Sequence, residues 1–167
     1  MFAYDFDGDG DNDIFTAAAA HGYGLTWFEQ AEGESGKKIW KRHVITGAKP
    51  EDNPYGVVFS QAHSAQLVDI DKDGIKDLVT GKRWWAHNGN DPGGNDAAVL
   101  YWFKLIRGGK SGEAKFIPYQ IDNNSGVGTQ FLAADINGDK KADILVGNKK
   151  GTFLHIQRNF AEQVPGP

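Results

Sequence analysis

The chain has 167 residues, 40% of them hydrophobic, with a formal net charge of −4 and no cysteine. That length and apolar share support one ordinary domain with a real core and exclude a disordered chain. The mild acidity gives no global pull toward nucleic acid or anionic membranes, the lack of cysteine excludes disulfides and thiolate zinc sites, and no apolar run approaches a membrane span. Residues 1–9 lack the basic and apolar regions of a secretory signal.

In chain order, a short apolar stretch at 2–4 leads into DFDGDGDND, residues 5–13, where aspartate stands at every second position. Residues 14–20 are apolar; their alanine run has helical propensity but stops short at Gly22 and Gly24. Apolar or aromatic segments follow at 25–30 and 39–45, then a long connection, 46–64. Residues 65–70 run into DIDKDGIKD (69–77), followed by segments at 78–81, 99–105 and 115–121, with a Gly- and Asn-rich insertion at 84–98. Residues 130–136 run into DINGDKKAD (135–143), followed by 144–147, 152–157 and a polar tail. The segments are short, rich in Val, Ile, Phe, Trp and Tyr, and bounded by Gly, Asn, Asp and Pro, which is the pattern of strands and turns. Helical periodicity is sustained nowhere.

The acidic stretches begin at Asp5, Asp69 and Asp135, 64 and 66 residues apart, and hold 12 of the 22 Asp and Glu residues. Recurrence at a near-constant period indicates a repeat architecture. Each unit reads as four strands, A to D, with the acidic loop joining A to B, which is the blade of a β-propeller. The expected fold is therefore all-β: a propeller segment of about two and a half four-stranded antiparallel blades. Blade 1 spans about 1–46, blade 2 about 63–121 and a partial blade 3 about 129–157. Closed propellers use about four to eight blades, so the remaining blades or self-association are expected to complete the ring.

Crowded carboxylates repel one another unless a cation neutralises them. Positions 1, 3 and 5 of the loops supply Asp5, Asp7 and Asp9; Asp69, Asp71 and Asp73; and Asp135, Asn137 and Asp139. Position 9 supplies Asp13, Asp77 and Asp143, and position 7 (Asp11, Ile75, Lys141) is free to offer a backbone carbonyl. Hard oxygen donors curling around one centre suit Ca²⁺. An EF-hand needs a bidentate Glu at position 12 and flanking helices; position 12 here is Thr16, Thr80 and Val146, and the flanks read as strands.

DFDGDGDNDI, DIDKDGIKDL and DINGDKKADI resemble the D-x-D-x-D-G-x-x-D loops of FG-GAP/VCBS-type propellers, a family that includes integrin α-subunit head domains. The resemblance implies a calcium staple between strands A and B of each blade, giving up to three Ca²⁺ sites. Loop 3 departs from the pattern. Asn137 removes a charge, and Lys140 stands where Gly10 and Gly74 do, at a place where positive φ is easier for glycine. Site 3 is therefore expected to be the weakest. Loops of this kind often fill at extracellular calcium levels, which points to an extracellular or periplasmic setting.

Alternating strands put the A–B loops on one rim and the B–C and D–A loops on the other. The second rim is expected to gather His21, Tyr23, His63, Lys82, Arg83, Trp84, Trp85, His87, Lys149 and Lys150. Aromatic faces beside basic groups suit a carbohydrate, and a long-looped rim on a rigid scaffold also suits a protein ligand. His43 is expected at the surface and His155 in a structural role. No G-x-S-x-G elbow, P-loop or H-E-x-x-H is present. HGYGLTWFEQ, SQAHS and VTGKRWWAHNG are also similar to stretches of propellers related to aldos-2-ulose dehydratase. That similarity implies an alternative, a sugar dehydratase or lyase holding a second divalent metal on the rim histidines, with Lys82 or Arg83 stabilising an enolate. A purely architectural module is a third reading.

Overall fold

The computed structural model describes residues 1–108 and 113–158. Its strands are β1 (Phe2–Tyr4), β2 (Asp13–Ala17), β3 (Leu25–Glu32), β4 (Lys38–Thr46), β5 (Ala65–Val68), β6 (Asp77–Gly81), β7 (Leu100–Arg107), β8 (Ala114–Asp122), β9 (Phe131–Ala134), β10 (Asp143–Asn148) and β11 (Gly151–His155). They form three antiparallel sheets, β1-β2-β3-β4, β5-β6-β7-β8 and β9-β10-β11. Helical structure among the described residues is confined to short 3₁₀ turns. The protein is all-β, a partial β-propeller. Most of the polar tail, 159–167, lies outside the described residues.

The alanine-rich stretch after β2 does not become a helix. Ala18 N–H reaches Gly24 O at 2.9 Å and Gly22 N–H reaches Ala19 O at 3.1 Å, closing a compact turn in which Gly24 adopts φ +109°. A left-handed residue there is cheap for glycine and ends the run.

Period-two alternation explains how the sheets stack. Along β6, Leu78 joins one cluster with Phe6 of the loop after β1, with Phe15, Leu25 and Trp27 of the first sheet, and with Phe103 and Leu105 of its own. Val79, the next residue, joins the other cluster, with Leu100 and Trp102 and with Phe131, Ile144 and Val146 of the third sheet. The middle sheet is thus apolar on both faces, and every residue of β6 is buried. Each fully buried side chain of this size stabilises the fold by roughly 1.5–3 kcal/mol.

Polar contacts also cross between sheets. Gln66 on β5 donates to Phe131 O and accepts from Ala133 N–H at 2.9 Å, binding two inner strands together. Lys76 N–H donates to the Tyr4 hydroxyl at 3.0 Å, and the Arg107 guanidinium lies 4.9 Å from the same ring.

The end sheets each keep one less covered face. On the first, Ile14 is in register with Phe28, and Trp40 and Val44 lie exposed on the same side. On the third, Leu132, Leu145 and Leu154 form a row across β9, β10 and β11, with Leu132 48% and Leu154 50% exposed. Apolar rows of this kind on both ends fit a propeller that continues into further blades.

Candidate functional site

Each acidic loop closes on itself through its own carboxylates. The ninth residue starts strand B and is buried in all three repeats. Asp13 Oδ2 accepts Phe6 N–H and Oδ1 accepts Gln30 N–H, both at 2.9 Å. Asp77 does the same with Ile70 (3.1 Å) and Leu105 (2.9 Å), and Asp143 with Ile136 (3.1 Å) and Gln157 (2.9 Å). The ninth carboxylate therefore pins the loop to strand C, in addition to any ligand it would offer a metal.

The third and fifth residues form successive Asx turns. Asp7 accepts Asp9 N–H and Asp9 accepts Asp11 N–H; Asp71 and Asp73 repeat this with Asp73 and Ile75, and Asn137 and Asp139 with Asp139 and Lys141. The first carboxylate caps the fourth or sixth residue: Asp5 accepts Gly8 N–H, Asp69 accepts Gly74 N–H, and Asp135 accepts those of Gly138 and Lys140. Positions 4 and 6 are left-handed in every loop. Glycine fills four of the six places, while Lys72 takes φ +64° and Lys140 φ +67°. Lys140 thus does not break the geometry of loop 3, although a left-handed non-glycine costs roughly 1–2 kcal/mol.

These turns aim oxygens inward. One carboxylate oxygen each of Asp5, Asp7 and Asp13 lie within 4.8 Å of one another, as do those of Asp69, Asp71 and Asp77. Asp7 Oδ2, Asp11 Oδ1 and Asp69 Oδ1 are buried without a hydrogen-bond partner. Burial raises the carboxyls of Asp13 and Asp77 to about 6 and also pushes Asp7 upward. Converging, desolvated, unpartnered oxygens are the donor set a hard divalent cation takes. Loop 3 offers Asn137 in place of the carboxylate at the third residue, beside Asp135, Asp139 and Asp143.

The second constellation lies at the opposite end of strand β2. The His21 and His63 rings are 4.8 Å apart and those of His21 and His87 4.5 Å apart. They come from the β2–β3 turn, the segment before β5 and the 84–98 insertion. Asp91 Oδ2 meets both His87 Nδ1 (2.8 Å) and His21 Nδ1 (3.3 Å), and the His87 hydrogen bond chiefly holds its carboxyl below the usual range. Burial, then the nearby Arg83, lowers the His63 imidazole; Arg83 Nη1 lies 3.5 Å from His63 Nε2. The backbone is left-handed at Gln61, Trp85, His87 and Asn88, a concentration of strain around the group.

The tryptophan pair sits beside this cluster. Trp84 and Trp85 stack with centroids 5.8 Å apart. Lys149 Nζ lies 4.9 Å over Trp85 and Lys150 Nζ 4.9 Å over Trp84, so the turn after β10 clasps the insertion after β6. Tyr23 pairs with Ser60 in an isolated bridge. Lys82 departs from expectation. It is fully buried, its Nζ donates to Ser60 Oγ at 2.9 Å, and burial lowers its pKa, so it ties the end of β6 to the segment before β5 and does not line the rim. His43 is not a free surface residue either. It stacks on Trp27 at 4.3 Å and meets Glu29 Oε2 at 2.8 Å. His155 Nε2 pairs with Ser125 Oγ at 3.1 Å.

Sequence reasoning did not single out Asp91, Glu29 or Lys104. Asp91 lies four residues after His87, a spacing visible in the chain, but only the fold shows that His21 shares it. Lys104, on β7, reaches loop 2: its Nζ bonds Asp71 and lies 3.6 Å from Asp73 Oδ2.

Two family matches cover most of the chain. Residues 5–80 match an FG-GAP-like repeat and residues 127–164 an FG-GAP repeat. No curated protein and no solved structure matches it. No helix among the described residues is long and apolar enough to cross a membrane. With three stacked antiparallel sheets and an acidic loop opening the second strand of each, the chain belongs to the FG-GAP/VCBS-type repeat proteins.

Proposed function

We propose that this protein is a calcium-stapled propeller module of the extracellular or periplasmic space that binds a carbohydrate or protein ligand through the end of the blades opposite the acidic loops. The observation that carries the calcium part is the buried, unpartnered Asp7 Oδ2 within a converging carboxylate group. Asp5, Asp7, Asp9 and Asp13 would hold the ion in loop 1, Asp69, Asp71, Asp73 and Asp77 in loop 2, and Asp135, Asn137, Asp139 and Asp143 in loop 3, with the carbonyls of Asp11, Ile75 and Lys141 as further donors. A bound Ca²⁺ supplies positive charge that lets the desolvated carboxylates coexist.

The ligand part draws on the group around the insertion: Tyr23, Arg83, Trp84, Trp85, Lys149 and Lys150. Indole faces beside cationic tips suit sugar rings or an acidic peptide surface. Further blades, or copies of the chain, would cover the apolar rows at the two ends.

The test is thermal unfolding with EDTA and with millimolar Ca²⁺. An ion that binds only the folded form stabilises by mass action, about 2.7 kcal/mol at one hundred times Kd. Superimposed melting curves would remove the calcium reading.

A second reading is favoured by one observation, the shared Asp91 carboxylate between His21 and His87. Two imidazoles and a carboxylate are a fitting donor set for Zn²⁺ or Mn²⁺. Under that reading the cluster belongs to a sugar dehydratase or lyase. His63 would take a proton beside the sugar carbonyl, and Arg83 would stabilise the developing enolate. Keto-sugar turnover that is lost in the His21, His63, His87 triple variant, with the fold intact, would establish it. Absence of turnover with added Zn²⁺ or Mn²⁺ would leave a binding module.

A further inference from the structure

The three repeats place different side chains at one structural position. The residue just before the N–H donor to the ninth carboxylate lies at the strand C edge of the loop. It is Glu29 in blade 1, Lys104 in blade 2 and Ile156 in blade 3. These residues meet their loops very differently. Lys104 Nζ bonds Asp71 Oδ2 and lies 3.6 Å from Asp73 Oδ2, so one ammonium spans the third and fifth residues of loop 2. Glu29 adds a negative charge near Asp7, and is itself paired outward with Lys41 and His43, each at 2.8 Å. Ile156 adds no charge, opposite a loop whose third residue is Asn137.

The loops differ in the same direction. Loop 1 has five aspartates and no basic residue between positions 5 and 13, and the one guanidinium shown reaching it, Arg107, bonds the Asp5 backbone carbonyl and not a carboxylate. Loop 2 contains Lys72 and Lys76, and loop 3 contains Lys140 and Lys141. Loop 1 also leaves two buried oxygens unpartnered, Asp7 Oδ2 and Asp11 Oδ1, whereas in loop 2 only Asp69 Oδ1 is left so.

We propose that Lys104 is a built-in cation that holds loop 2 closed without metal, making loop 1 the high-affinity calcium site and loop 2 a site that calcium enters only by displacing the ammonium. The inference rests on the calcium reading above. Its physical basis is competition for the same oxygens. A calcium ion needs six to eight oxygen ligands, and Asp71 and Asp73 cannot serve it while both face an ammonium. The lysine is tethered, so its effective concentration at the loop is high and independent of solution conditions. Blade 2 would then keep its fold at low calcium, and blade 1 would respond to calcium over a lower range.

The test is calorimetric titration of the demetallated chain with CaCl₂, for the wild type, Lys104→Met and Lys104→Gln, beside Asp7→Asn and Asp71→Asn. The wild type is expected to show one tight step that Asp7→Asn abolishes and Asp71→Asn spares. Lys104→Met should tighten a second step by on the order of tenfold. In EDTA it should melt below the wild type, and calcium should narrow the gap. Lys104→Gln keeps a hydrogen-bond donor without the charge and should reproduce the tightened step, which keeps the test decisive if the Met variant fails to fold. Superimposed isotherms for wild type and Lys104 variants, or a tight step that survives Asp7→Asn and vanishes in Asp71→Asn, would overturn the proposal and leave the calcium reading standing. No calcium uptake by any of the five proteins would overturn both.

Discussion

The second residue of each acidic loop offers a graded test of blade stacking. Phe6, Ile70 and Ile136 occupy equivalent places, each donating its N–H to the ninth carboxylate. Their surroundings differ because the second sheet covers Phe6 and the third covers Ile70, whereas no further sheet among the described residues covers Ile136. Phe6 is 0% exposed, with its ring 5.7 Å from Phe116 of the second sheet and 6.2 Å from Trp27. Ile70 is 7% exposed and packs with the cluster that includes Phe131 and Ile144 of the third sheet. Ile136, on the last sheet described, is 41% exposed. Phe6→Ala removes a fully enclosed ring and leaves a cavity, which costs about 3–5 kcal/mol. Ile70→Ala should cost about 2–4 kcal/mol, and Ile136→Ala less than about 1 kcal/mol. Urea unfolding followed by tryptophan fluorescence reads all three, and Trp27 reports locally on the first variant. A domain of ordinary stability has only about 5–15 kcal/mol, so Phe6→Leu, at a smaller loss, keeps the series readable if Phe6→Ala does not fold. Equal losses at Phe6 and Ile136, or a loss at Phe6 below about 1 kcal/mol, would refute the stacking order.

Gln66→Ala removes both hydrogen bonds between β5 and β9; leaving Phe131 O and Ala133 N–H without that partner should cost about 1–3 kcal/mol, read by the urea midpoint, and an unchanged midpoint would mean that the strands are not joined there. Glu29 gives a pH dependence. Burial works against its charge, but Lys41 and His43 outweigh it and hold the carboxyl below its usual value, so its contribution is present above about pH 4.5 and lost as pH falls through the lowered folded value. Glu29→Gln should flatten that part of the stability profile, and identical profiles would remove the assignment. Asp91→Asn should weaken Zn²⁺ uptake at the histidine cluster by about tenfold or more, measured by competition with a chromogenic chelator, with little change in melting temperature; uptake equal to that of the wild type would separate Asp91 from any metal there.

The architecture was legible because its signals are local. Strand pattern, turn residues and the spacing of Asp5, Asp69 and Asp135 each belong to one stretch of chain. The convergence of His21, His63 and His87 followed from strand alternation alone, since antiparallel strands send B–C and D–A connections to the same end. Burial was harder to read. Lys82 reads as a rim cation beside Trp84, and only the fold shows that it is fully buried and that Ser60, from the segment before β5, receives its ammonium. Lys104 was invisible for a different reason. Its role depends on register across β6 and β7, where a shift of one residue would turn it to the other face. The left-handed lysines at 72 and 140 were likewise hidden, because a favoured glycine at those places is a preference that the closed loop can override.

Anomalous diffraction from crystals grown with calcium tests the central claim most directly. The account predicts a peak inside loop 1, within bonding distance of carboxylate oxygens from Asp5, Asp7 and Asp13. A loop 1 that refines with water or with no density at that point, in crystals equilibrated with millimolar calcium, would contradict it.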